Sequence, residues 1–120
     1  MEPEGLDKIV PRLIPILEKY QIQKAVVFGS LARREPSRKS DLDLLVIQVT
    51  DKRYLDRYDG ILSDITEVVH GRDVDLLIYT PEEFAGMIHH YFIKKALEEG
   101  IVIYESERQP VSGTTMAVDG

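Results

Sequence analysis

The sequence predicts an α/β (α+β) domain, a mixed sheet of about four strands packed with three to four helices. Three observations predict it. Apolar residues recur at helical spacing over 4–20, 52–69 and 81–99; short β-prone runs lie between these stretches at 24–28, 41–49, 74–79 and 101–104; and glycine, proline or polar turns sit where one pattern gives way to the next. A chain of 120 residues has room for one such unit and not for a second core.

Each element has its own warrant. Leu6, Ile9, Val10, Leu13, Ile14 and Leu17 form a single helical stripe. Pro11 and Pro15 lie inside it, and each removes a donor at about 3 kcal/mol in a helix interior, so a kink or two short helices are expected. The run 24–28 ends at Gly29-Ser30, and a polar loop containing Pro36, with one helical turn at Leu31-Ala32-Arg33-Arg34, leads into the second run. That short loop permits an antiparallel return, whereas the longer stretch before 74–79 is enough for a helical crossover. Leu55, Tyr58, Ile61, Leu62, Ile65, Val68 and Val69 predict one helix over 52–69, stopped near Gly71. After the third strand, Thr80-Pro81-Glu82-Glu83 supplies an N-cap, a proline at the first helical position and Glu at the third. The helix it opens is expected to reach Glu99 and close at Gly100 before the fourth strand. Residues 106–120 show no periodicity, which predicts a domain over 1–105 and a disordered tail.

Composition narrows the function classes. The net charge of −6 argues against a general nucleic-acid coat, because phosphate binding needs a basic face. Without cysteine there is no disulfide framework and no thiolate zinc site. No apolar run approaches the roughly 20 residues of a membrane span, and Met1-Glu2-Pro3-Glu4 lacks the build of a secretory signal, so a cytoplasmic address is expected.

Asp41 and Asp43 are the most informative pair. Two apart on a strand, they face one side with Cα atoms roughly 6.5 Å apart, and their mutual repulsion is relieved by a hard cation such as Mg²⁺. An isolated Asp-x-Asp is more often a solvated strand entrance, so the surroundings decide. Gly29-Ser30 offers a permissive backbone and a hydroxyl at a strand end, suited to phosphate oxygens or to a simple turn. Arg33, Arg34, Arg38 and Lys39 follow against Glu35 alone, gathering positive charge in an acidic chain. A third acid comes from Asp73 or Asp75; Asp75 is preferred because it is embedded deeper in an apolar run, where an unpartnered carboxylate would be costly.

Gly29-Ser30, ten intervening residues ending in Ser40, then Asp41-Leu42-Asp43 with Leu44-Leu45-Val46 behind, resembles the signature of minimal nucleotidyltransferase domains of the DNA polymerase beta superfamily. The likeness runs from Lys24 to Tyr79 and departs at Arg34, where the family pattern has glycine after the matching Leu31-Ala32-Arg33. It implies the nucleotidyltransferase fold, two Mg²⁺ ions held by Asp41, Asp43 and Asp75, Asp75 helping to deprotonate the attacking hydroxyl, and nucleotide contacts by Gly29, Ser30, Arg33 and Ser40. Stand-alone domains of this kind resemble antitoxins of HEPN toxin pairs, so the implied reaction is AMP transfer from ATP to a tyrosine of a HEPN-family toxin. Nucleotide transfer to a small-molecule hydroxyl and a non-catalytic binding antitoxin are the alternatives, and a homo-oligomer is compatible with either. His89 and His90, adjacent on a helix, diverge by about 100° and are assigned to surface and packing. Tyr54, Tyr58, Tyr91 and Phe92 are assigned to core or interface rather than to base stacking; Phe84, Met87, Ile88 and Tyr91 form a stripe that could extend past the core as a docking face.

Overall fold

The computed structural model describes residues 4–32 and 41–106. Helix α1 (Leu6–Lys19) is followed by β1 (Ile22–Phe28), β2 (Leu42–Gln48), a 3₁₀ segment (Tyr54–Tyr58), α2 (Ile61–Val68), β3 (Val74–Tyr79), α3 (Pro81–Met87), α4 (Tyr91–Glu99) and β4 (Ile101–Glu105). The strands form one sheet in the order β3-β2-β1-β4. β1 runs antiparallel to both β2 and β4, and β2 pairs parallel with β3 through the helical crossover. The mixed four-strand sheet with four α-helices is the architecture expected.

Both faces of the sheet are covered. On one, Ile9, Leu13 and Leu17 of α1 and Ile61 and Ile65 of α2 pack on Ala25, Val27, Leu44, Val46, Leu76 and Ile78. On the other, Phe84 and Met87 of α3 and Ile93 and Ala96 of α4 pack with Phe28, Leu45 and Ile47. This explains why Leu44-Leu45-Val46-Ile47 reads as a continuous apolar run: alternate side chains of an inner strand are buried on opposite faces.

Three helical expectations are corrected. α1 is a single helix despite Pro11 and Pro15. The two prolines are four residues apart on its exposed side, where water can solvate the carbonyls they leave without partners, while the buried stripe keeps its ladder. The helix expected over 52–69 is two pieces, broken at Gly60 with φ +83°. A Cβ at Gly60 would lie 2.7 Å from Tyr20 Oη, so the turn admits only glycine without rearrangement. The helix expected over 81–99 is broken too, with His90 in extended geometry as the N-cap of α4. α3 serves β2 and β3 whereas α4 serves β1, and one straight helix does not cover both. His89 and His90 therefore lie at this break rather than inside a helix.

The capping box is present as expected: Thr80 Oγ1 accepts from the Glu83 N–H at 3.1 Å, and Glu83 Oε1 accepts from the Thr80 N–H at 3.0 Å. Glu83 also receives the Arg57 guanidinium through both oxygens, at 2.6 and 3.0 Å. Arg57 is buried and donates further to the Lys52 and Ile78 carbonyls. Tyr58 Oη accepts the Ile78 N–H, so the 3₁₀ segment covers the outer edge of β3. Of the expected tail, Ser106 is described and its N–H donates to the Gln23 carbonyl at 2.8 Å; the remainder lies outside the described residues.

Candidate active site

The candidate residues that the structure describes lie where β1 ends and β2 and β3 begin. Phe28 is paired with Asp43, and Asp43 with Asp75, so the three stand in one row across adjacent strands. Directly opposed residues project from the same face, about 5 Å apart, so both carboxylates share the face covered further along by α3 and α4. Asp43 is half-buried and Asp75 exposed. The burial argument that favoured Asp75 over Asp73 therefore does not apply; the register favours it instead. Asp73 lies ahead of β3, where its carbonyl accepts the Leu42 N–H at 2.8 Å.

Gly29 follows Phe28 at φ +75°. A Cβ built there would come within 2.1 Å of Asp43 Oδ2 and 3.1 Å of its Cγ. The turn thus brings bare backbone against an Asp43 carboxylate oxygen, an approach that no side chain other than hydrogen allows. The Ala32 N–H closes the turn onto the Gly29 carbonyl at 3.1 Å, and Ser30 stands half-buried within it. Asp41 is exposed, immediately ahead of β2 and outside the paired ladder. Arg33, Ser40 and the rest of the basic loop lie outside the described residues.

Hard carboxylate oxygens at one sheet end are the donor chemistry that suits Mg²⁺, and the bare approach at Gly29 leaves Asp43 Oδ2 room beside the backbone. Asp43 and Asp75, which the ladder holds in register, are the carboxylates that would hold such an ion, with Asp41 exposed just ahead of β2. Among the described residues no three Asp, Glu or His side chains are already gathered tightly enough to enclose one. Beside the row, the Phe92 ring, assigned from the sequence to core or interface, meets Phe28 edge-on at 5.6 Å while 54% of the residue remains exposed. An aromatic at a helix start carries no signal of this placement until the break before α4 is known. Among the described residues no helix is long and apolar enough to cross a membrane.

An acidic row thus stands at the end of a mixed sheet, beside a glycine turn. The chain belongs to the polymerase beta nucleotidyltransferase family, whose model matches residues 12–109, and it is a nucleotidyltransferase. Two proteins of Methanocaldococcus jannaschii, each named "putative protein adenylyltransferase", are similar to it. One is 36% identical over 85 residues, 71% of this chain and 79% of its own; the other is 39% identical over 97 residues, 81% and 96%. Solved structures share the fold. A protein of Sulfolobus solfataricus named "putative nucleotidyltransferase" superposes with a TM-score of 0.53 at 17% identity, covering 85% of each chain. A mutant of the toxin–antitoxin MntA-HpeT gives 0.58 at 15% identity, covering 82% of this chain and 74% of that one.

Proposed function

We propose that this protein transfers AMP from ATP to a tyrosine hydroxyl of a partner protein, a HEPN-family toxin, and so acts as a cytoplasmic protein-modifying antitoxin. The observation that carries the reading is the in-register pair Asp43 and Asp75 beside the bare Gly29 turn. The relatives named as protein adenylyltransferases and the toxin–antitoxin fold neighbours support the choice of acceptor.

In this reading Gly29 and Ser30 receive the β- and γ-phosphates, with Arg33 and Ser40 adding contacts from the loop. The acceptor oxygen attacks the α-phosphorus in line, its proton passes toward Asp75, the bond to the bridging oxygen breaks, and pyrophosphate leaves. Asp41, Asp43 and Asp75 would hold two Mg²⁺ ions, which supply charge stabilisation for the attacking and leaving oxygens. Asp43, fixed against Gly29 and opposite Asp75, orients the acidic row toward the phosphates.

The test uses α-labelled ATP, Mg²⁺ and the co-purified partner, with wild type beside the Asp41→Asn, Asp43→Asn double variant. Label on a partner tyrosine with wild type alone is the expected result. Label on an added small-molecule hydroxyl instead moves the acceptor to that class. Neutralisation of the toxin by the double variant, without label from either protein, overturns the catalytic reading in favour of docking.

A further inference from the structure

We propose that Phe92, at the start of α4, is the platform on which the base of the bound nucleotide stacks; this rests on the nucleotide-transfer reading of the neighbouring acidic row. Phe28 is directly opposite Asp43 in the sheet and projects from the same face. Its ring is buried, and the Phe92 ring stands against it at 89° with centroids 5.6 Å apart. One edge-to-face contact therefore anchors Phe92 a single side chain away from the carboxylate row. The rest of Phe92 remains open, at 54% exposure.

A neutral aromatic base needs an apolar face rather than further charge, and the open Phe92 ring offers one beside the acidic row. The other exposed rings among the described residues are engaged elsewhere. Tyr54 packs on Tyr58 and Tyr79, toward the opposite end of β3, and the Lys95 ammonium lies over the Tyr91 ring at 6.0 Å. The sequence alone places Phe92 in core or interface; its half-open ring, braced by Phe28, is the reason to assign it to the ligand. Because stacking accepts any base, this platform contributes affinity more than base selection.

Calorimetry on the full chain with Mg–ATP and, separately, Mg–tripolyphosphate tests the proposal. Phe92→Leu keeps the apolar contact with Phe28 but removes the aromatic face, and Phe92→Trp enlarges that face. Phe92→Leu is expected to weaken ATP about tenfold while leaving tripolyphosphate unchanged, and Phe92→Trp to hold ATP within about twofold of wild type. Equal ATP affinity for wild type and Phe92→Leu overturns the platform, as does an equal loss of both ligands, which marks a structural role. If wild type binds ATP, Asp43→Asn abolishes that binding and Phe92→Leu does not change it, the platform fails while the nucleotide site stands. If wild type takes up neither ligand, the nucleotide reading fails and the platform with it.

Discussion

Gly29→Ala is the sharpest perturbation of the site, because it replaces one hydrogen by a methyl group at one point and leaves every acid in place. The new Cβ would stand 2.1 Å from Asp43 Oδ2. Ordinary van der Waals contact begins near 3.4 Å, so the carboxylate must retreat by more than an ångström or rotate away from the turn. A displacement of about 1 Å in a catalytic group costs on the order of a hundredfold in rate. Alanine at φ +75° adds backbone strain of about 1 kcal/mol, which corresponds to a fall in Tm of about 4 °C for a chain of this size. The assay pairs Mg–ATP calorimetry and partner labelling with a thermal melt. The expected signature is near-complete loss of labelling in a protein still folded at the assay temperature. Wild-type labelling in Gly29→Ala would refute the claim that the turn positions Asp43, and loss of labelling only where the variant is unfolded would do the same.

Two further outcomes concern the frame around the site. Glu83 is held down to about 2 from its ordinary 4.5, first by the hydrogen bonds from Arg57 and then by the backbone bond from Thr80. A carboxyl depressed on folding stabilises the protein fully above its unfolded value and loses that contribution as pH falls from about 4.5 toward 2. Arg57→Met should therefore flatten the acid limb of a urea-denaturation profile and lower stability near neutral pH by about 1–2 kcal/mol, a figure discounted because the Glu83 side chain is 41% exposed; an unchanged acid limb would contradict this. Gly60→Ala, at φ +83° with its Cβ 2.7 Å from Tyr20 Oη, should cost about 1–2 kcal/mol in chemical denaturation and weaken the Tyr20 bond to Asp64. Wild-type stability in that variant would show that the 3₁₀ segment and α2 can join in another way.

The sheet was legible because β2 is an inner strand: Leu44 to Ile47 must be apolar on both sides whatever surrounds them. The start of α3 was legible because a capping box is local chemistry, complete within Thr80 to Glu83. The helix breaks were not, since apolar spacing over 52–69 and 81–99 continues across them. Gly60 could have suggested the first; nothing as local marks His90.

By itself, then, the chain's order of residues determined the alternation of helices and strands, the glycine turn and the candidate acids, all of which depend on neighbours a few positions apart. Only the tertiary structure decided that Asp75 is exposed, that it stands opposite Asp43, that Gly29 presses bare backbone on the same carboxylate and that Phe92 leans on Phe28. Those relations are set by register between strands and by where two helix fragments find a sheet face to cover, and such long-range packing leaves no periodic trace along the chain.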